Sequence, residues 1–237
     1  MEILIRGAQR LGLPLSPAQV ERFEVYYREL IDWNRRVNLT RIIGREEVQV
    51  KHFLDSLTVA KALPSPVPPG LRALDIGSGA GLPGVPLKIL YPKMEMCLMD
   101  SVGKKTAFLE HLVATLGLEG VQVVTGRAET LAHDEAYRER FDLVVSRAVT
   151  VLAALLELTL PFCKIGGRVI AQKDASYERE PGDVDRALAL LGGRLEEVLP
   201  IELEGISNER RLVVISKAES TPGKYPRRPG VPARRPL

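Results

Sequence analysis

Residues 74–84 read Leu-Asp-Ile-Gly-Ser-Gly-Ala-Gly-Leu-Pro-Gly. A short apolar run, Leu71 to Ile76, leads into this stretch, and an apolar segment with helical spacing, Val85 to Leu90, leaves it. Strand, glycine turn and helix, in that order, bind the charged or polar part of a nucleotide-like cofactor. Glycine admits φ > 0 and lets the backbone approach a ligand closely. The helix that follows presents unpaired N–H groups. So many glycines in one turn cost stability, which favours a ligand over a plain strand–helix connection.

The glycines fit two patterns. Gly79, Gly81 and Gly84 spell G-x-G-x-x-G, the dinucleotide fingerprint. Asp75, Gly77, Gly79 and Gly81 spell D-x-G-x-G-x-G, which resembles motif I of the Rossmann-like S-adenosylmethionine methyltransferases. Asp75 favours the second pattern. A carboxylate at the cofactor edge of the first strand suits a cationic sulfonium amino acid and suits a pyrophosphate badly.

The surrounding elements follow from the periodicity. Residues 1–63 read as a helical extension. Glu2 to Leu11 is amphipathic and stops at Gly12. Ser16-Pro17-Ala18-Gln19 is a capping box with Pro at the first helical position. The helix it starts carries Val20, Phe23, Tyr27, Leu30 and Ile31 on one face and runs to about Trp33. A third helix spans about Arg45 to Leu63. The Pro-rich linker 64–70 cannot continue it.

Residues 71–217 then alternate. Strands are expected at Leu71–Ile76, Glu95–Met99, Val121–Thr125, Phe141–Ser146 and Arg168–Gln172. Helices are expected at Pro83–Leu90, Lys104–Leu116, Thr130–Arg138, Val151–Cys163 and Asp183–Leu191. Arg194–Leu203 and Arg211–Lys217 are two strands with no helix between them, so a parallel sheet closes with an antiparallel hairpin. This is the α/β arrangement of a class I methyltransferase: a seven-stranded, mostly parallel sheet. A full dinucleotide fold would repeat βα units instead.

At 237 residues and 45% apolar composition the chain is an ordinary globular domain with an appendage. It has no bilayer-spanning run and no signal-peptide core, so a cytoplasmic protein with no membrane partner, by default a monomer, is expected. Cys97 and Cys163 form no metal motif and read as buried thiols in a reducing compartment; no metal ligands are expected. The net charge of +3 is uneven: Lys224, Arg227, Arg228, Arg234 and Arg235 give residues 220–237 a charge of +5 and leave −2 for the rest. The basic Pro-rich arm, 218–237, is expected to pack on the body or to lie along RNA.

Ligands of such sheets bind beyond the carboxyl ends of the strands. Asp100 and Ser101 follow the second strand, where an acid can accept from both ribose hydroxyls. Gly126-Arg127-Ala128-Glu129 follows the third, bordering an adenine. Ser146-Arg147-Ala148 follows the fourth, near a transferable group. Two absences narrow the acceptor. No Asn/Asp-Pro-Pro-Tyr follows the fourth strand, and no Pro-Cys pair offers a covalent nucleophile. An acceptor that is already nucleophilic, such as guanine N7, needs positioning and desolvation and no general base. No catalytic residue is therefore assigned.

Several blocks together resemble one family. Trp33-Asn34…Asn38-Leu39-Thr40, His52-Phe53-Leu54-Asp55-Ser56-Leu57, the glycine stretch, Asp100-Ser101…Lys104-Lys105, Gly126-Arg127-Ala128-Glu129, Ser146-Arg147-Ala148 and the tail from Lys224-Tyr225-Pro226 are similar to the bacterial small-subunit (16S) ribosomal RNA guanine-N7 methyltransferases of family G, also called glucose-inhibited division protein B. The resemblance covers nearly the whole chain in the family's order. It implies methyl transfer from S-adenosylmethionine to a guanine of 16S ribosomal RNA in the small subunit, guanine 527 of the 530 loop. It implies cofactor contacts from Gly77, Gly79, Leu82, Asp100, Ser101, Val102, Ala128, Glu129 and Arg147. Leu82 stands where the family often has Phe, and Gln172-Lys173-Asp174 where it more often has Lys-Gly.

Candidate RNA contacts are Lys104, Lys105, Lys173, Lys224, Arg227 and Arg228. Lys104 and Lys105 fit a solvated helix start equally well. His52 and Asp55 share a helix face and read as a pair that ties the N-terminal helices to the core. Trp33 reads as a core anchor. Two other functions fit the glycine turn: an NAD-dependent oxidoreductase, and an RNA-binding protein that senses S-adenosylmethionine without catalysis.

Overall fold

The computed structural model describes residues 1–206 and 209–237. Seven strands form one sheet: β1 (Arg72–Ile76), β2 (Glu95–Asp100), β3 (Val121–Thr125), β4 (Phe141–Arg147), β5 (Cys163–Asp174), β6 (Gly193–Ile201) and β7 (Arg210–Lys217). Their spatial order is β3-β2-β1-β4-β5-β7-β6. β1 pairs in parallel with both β2 and β4, and β4 with β5. β7 runs antiparallel to β5 on one side and to β6 on the other. The chain leaves β1 towards β2 and β3, then crosses back to β4. The carboxyl ends of β1 and β4 therefore flank a topological switch point, where such sheets bind ligands. Pro200 lies in β6, an edge strand, where a missing N–H costs least.

Each face of the sheet carries its own apolar cluster. On one face the N-terminal helices Glu2–Arg10 and Pro17–Asn34 pack with the sheet in a single core. Phe53 sits at the centre of that contact, its ring 5.0 Å from both Phe23 and Tyr26. The helical extension is thus continuous with the sheet's core. The helix Pro17–Asn34 starts with the capping box expected of Ser16 and Gln19. It buries Phe23, Tyr26 and Leu30, so the dry face takes Tyr26 at i+3 where the sequence suggested Tyr27 at i+4. Tyr27 stays near the rim under the Arg45 guanidinium, 5.2 Å from its ring. Trp33 packs against Phe108 and His111 at 5.7 and 5.2 Å, as an anchor would.

Three expected helices differ. The segment 45–62 is not one α-helix: a π-helical stretch, Val48–Leu54, and a 3-10 stretch, Thr58–Ala62, flank a single α turn, Asp55–Leu57. Residues 48–59 are buried at every position except the half-buried Lys51. A segment enclosed on all sides takes its pitch from its neighbours rather than from one dry stripe. The helix after β4 ends at Thr159. Pro161 then forces a short 3-10 turn, and Cys163 opens β5 instead of closing the helix. The helix after β3 covers only Ala128–Leu131, because the Asp134 carboxylate accepts from the Ala136 amide and favours a turn.

Residues 218–237 fold back over the second face, where Tyr225 joins the apolar cluster at 7% exposure. The Arg138 guanidinium donates to the carbonyls of Thr221, Pro222 and Tyr225. The fully buried Lys217 ammonium donates to the carbonyls of Leu160 and Leu191 and pairs with Thr221. The arm packs on the body, one of the two arrangements expected from the sequence, and that packing does not decide its contacts with RNA.

Candidate functional site

The glycine turn crosses the carboxyl end of β1. The amides of Gly77 and Ser78 both donate to the Met99 carbonyl, at 2.8 and 3.0 Å, which fastens the turn to β2. Gly81 shows why a side chain is not tolerated. Its φ is +91°, and a Cβ there would lie 2.8 Å from the Tyr26 hydroxyl oxygen and from the Val85 side chain. Gly79 differs: its φ is +57°, and a Cβ would meet nothing nearer than the Gly77 carbonyl at 3.7 Å. The turn therefore offers an open face at Gly79, with Gly81 against protein behind it.

Tyr26 holds the turn from outside. Its hydroxyl donates to the Ala80 carbonyl at 2.5 Å, and burial pushes its phenol well above the usual range. This link between the N-terminal helices and the turn had no signal in the sequence beyond a helical spacing.

Asp75 is not at the cofactor edge. It is fully buried behind the turn, where Oδ2 accepts the Gly84 amide at 2.9 Å and Oδ1 has no partner. Burial pushes its carboxyl up to about 7. The sequence places this carboxylate towards a cofactor, whereas it turns inward, because β1 lies in the middle of the sheet.

Asp100 does face the turn. At 5% exposure, its Oδ2 accepts the Gly79 amide and its Oδ1 the Val102 amide, each at 2.9 Å. Each oxygen keeps a lone pair free, since an ionised carboxylate has about four acceptor sites. The Lys105 ammonium stands 3.8 Å from Oδ2. Ser101 and Val102 are exposed beside it. Leu82 is 5% exposed and lies in the turn itself.

Past β3, the half-buried Ala128 and the buried Glu129 open the short helix, and the Glu129 Oε1 accepts the Gly230 amide of the arm at 2.9 Å. Past β4, Ala148 has φ +55°, a conformation that costs a non-glycine residue about 1–3 kcal/mol. It turns Val149 across Gly77, whose hypothetical Cβ would lie 2.5 Å from Val149 Cγ2.

Arg147 is anchored from below. Its Nη1 donates to the Asp55 carboxylate at 2.9 Å and to the Lys51 carbonyl at 3.0 Å. Asp55 is a node: it is fully buried, the Arg210 Nε lies 3.3 Å from its Oδ1, and Gln172 donates to its carbonyl. His52 does not pair with Asp55. Its Nε2 bonds the Thr40 hydroxyl at 2.9 Å, and burial, aided by the Arg147 charge, pulls its pKa down to about 4. The expectation that this helix ties the extension to the core holds, through Asp55 to Arg147 rather than through a His–Asp pair. Sequence reasoning missed Arg210 and Gln172 as partners, since nothing local relates them to Asp55.

The candidate RNA contacts divide. Lys104 and Arg228 are exposed, and Lys224 lies over the Tyr225 ring at 5.3 Å with its side chain outward. Lys173 is 9% exposed, donates to the Thr150 carbonyl and pairs with Glu180 at 2.5 Å. Arg227 grips the fully buried Glu157 with Nε and Nη2, while its own amide donates to the same carboxylate. Lys173 and Arg227 are thus engaged by the protein itself and do not present a free charge to RNA.

Cys97 and Cys163 are free and buried, and burial pushes both thiols up to about 12. Among the described residues no cluster of three or more His, Cys, Asp or Glu could hold a metal, and no helix is long and apolar enough to cross a membrane. A cleft of about 720 Å³ lies away from the glycine turn, between the first helix and the segment that follows β6. Its walls carry both signs of charge, including the Arg10–Glu204 and Lys51–Glu47 pairs.

The family described as "rRNA small subunit methyltransferase G" matches residues 19–212. The chain is 46% identical over its full length to a ribosomal RNA small subunit methyltransferase G of Dehalococcoides mccartyi, all of which is covered. It is 48% identical to the protein of that name from Roseiflexus castenholzii, again with both chains fully covered. Among solved structures, a SAM-dependent methyltransferase from Aquifex aeolicus superposes with a TM-score of 0.55 at 17% identity, covering 76% of this chain and 97% of that one. That likeness concerns the fold.

Proposed function

The chain belongs to the rRNA small subunit methyltransferase G family, and on that premise we propose that it transfers a methyl group from S-adenosylmethionine to N7 of one guanine in 16S ribosomal RNA. The observation that carries the reading is the Asp100 carboxylate, held by two amides beside the open face of Gly79. Both oxygens are aligned before any ligand arrives, and both retain acceptor capacity for a pair of vicinal hydroxyls.

The residues present fit that cofactor. Gly77, Gly79 and Leu82 line the turn, Asp100 takes the ribose, Ser101 and Val102 flank it, and Ala128 and Glu129 border the adenine. When bound, the cofactor supplies an electrophilic methyl group on a sulfonium. Guanine N7 carries its lone pair in the ring plane and has no proton to lose. The protein's part is therefore to align, to exclude water and to place charge, without a general base. The state of His52 supports this: with its pKa near 4 and Nε2 held by Thr40, it is not poised to move a proton at neutral pH. Arg147 borders the transfer region from a fixed position, since Asp55 and the Lys51 carbonyl hold its guanidinium.

The test is to incubate the protein with labelled S-adenosylmethionine and small-subunit RNA, then reduce the RNA with borohydride and treat it with aniline. Reduced N7-methylguanine yields a strand break, whereas a guanine methylated at N1 or N2 does not. A single new break at one guanine is expected. Label incorporated without a break would overturn the N7 assignment, and binding without any incorporation would favour a non-catalytic sensor.

A further inference from the structure

The C-terminal segment does more than cover the second face of the sheet. Its Gly230 amide reaches the Glu129 carboxylate at 2.9 Å, across a gap of a hundred residues in sequence. Glu129 is 8% exposed and lines a groove of about 630 Å³ that the arm also lines, with Pro226, Pro229 and Val231. The short helix that carries Glu129 has only four residues, too few to fix a long side chain by itself. The arm is held in place some residues earlier. Arg227 grips Glu157 with three side-chain contacts of 2.6–3.0 Å, Glu157 being fully buried in the helix Leu152–Thr159. His133 adds a bond to the Pro226 carbonyl at 2.9 Å.

We propose that the arm is a working part of the cofactor site: the Arg227–Glu157 pair holds Gly230 where its amide fixes one oxygen of Glu129, so that the other is aimed at the exocyclic amine of the adenine. Arg227 and Gly230 are positioning residues, which act through Glu129. The proposal rests on the reading of Glu129 as the residue at the adenine edge. It assigns the basic tail a role besides any charge it offers to RNA.

The test uses the full chain and two ligands, S-adenosylhomocysteine and its inosine counterpart, in which a carbonyl oxygen replaces the amine. The wild-type protein is expected to prefer the adenosyl ligand by tenfold or more, because an ionised acceptor that loses its donor is left facing an oxygen. In Glu157→Gln and in Arg227→Lys that preference is expected to shrink several-fold. General loosening of the fold would weaken both ligands alike and leave the ratio unchanged. Arg227 is partly exposed, so Arg227→Lys supplies the measurement should Glu157→Gln fail to fold. A ratio that survives in Glu129→Ala would refute the adenine-edge reading itself. A ratio lost in Glu129→Ala yet intact in both anchor variants would overturn the role of the arm.

Discussion

The Asp100 carboxylate at the end of β2 accepts the backbone amide of Gly79, in the turn after β1, at 2.9 Å. One side chain thus fixes the open point of the turn and presents its remaining lone pairs to the same space. Asp100→Ala removes charge-assisted hydrogen bonds worth about 1.5–3 kcal/mol each. Calorimetry with S-adenosylhomocysteine should show affinity reduced by about tenfold to a few hundredfold, with secondary structure intact. Unchanged affinity would remove Asp100 from the site.

Asp55 is a buried acid that both Arg147 and Arg210 approach. Asp55→Ala leaves Arg147, itself largely buried, without its counter-charge. Removing one partner of a buried pair costs about 3–5 kcal/mol, and urea unfolding should show a loss in that range. Arg210→Gln should cost less than half as much, because Arg210 is 29% exposed against 14% for Arg147. Equal losses would mean that Asp55 is not the node.

Two buried groups make opposite contributions to the pH dependence of stability. His52 is held at about 4 against an ordinary 6.5. Between those values the unfolded chain takes up a proton that the folded imidazole refuses, so stability falls as the pH drops. Asp75 is raised from 3.8 to about 7. Between those values the folded carboxyl keeps a proton that the unfolded chain releases, so this contribution falls as the pH rises. Each slope is about 1.4 kcal/mol per pH unit. Over the shared window they oppose each other in the wild type. His52→Gln should therefore leave a protein that gains stability on acidification from pH 6.5 to 4, and Asp75→Asn one that loses it. Parallel melting curves across that range would contradict both shifts.

If N7 attacks the methyl group directly, as proposed, the single-turnover rate of methylation at saturating substrates should be nearly flat from mildly acidic to mildly basic pH. His52→Gln should change stability and leave the shape of that profile alone. A bell that disappears in the variant would make His52 a proton carrier.

The arm's charges differ in kind. Lys224, Arg228, Arg234 and Arg235 are exposed, whereas Arg227 is bound to Glu157. Replacing the four exposed cations by Gln should flatten the log–log salt dependence of RNA binding by at most about 2.8, at roughly 0.7 per phosphate on a single strand. The melting temperature should hardly move. Arg227→Gln should do the reverse, lowering the melting temperature by several degrees with little change in slope. A full-length protein whose salt dependence survives loss of the four cations would place RNA elsewhere on the molecule.

The strands around the switch point, the glycine turn and Asp100 were legible because strand ends, glycines and acids are local signals. The last two strands were legible as a pair, since no helix separates them. What the sequence could not disclose were contacts decided by tertiary packing. The acid at Asp75 turned inward because β1 lies in the middle of the sheet. The helix at 45–62 lost its regular pitch because neighbours enclose it. Arg210 and Gln172 meet Asp55 only after the sheet is assembled. Composition correctly marked the tail as basic, yet it could not tell a free guanidinium from one that reaches a buried glutamate in a distant helix.

The strand order has a consequence for how the protein is made. β7, last of the strands to be synthesised, occupies an interior place between β5 and β6. Until it emerges from the ribosome, β5 is an uncovered edge and β6 has no strand to pair with. Between the completion of β5 and that of β7 the nascent chain carries an open, apolar sheet border, the kind of border that recruits foreign strands. Emergence of β7 closes that border, and the segment that follows then carries Gly230 to Glu129, so the bond between the arm and the helix after β3 forms only once the sheet is sealed.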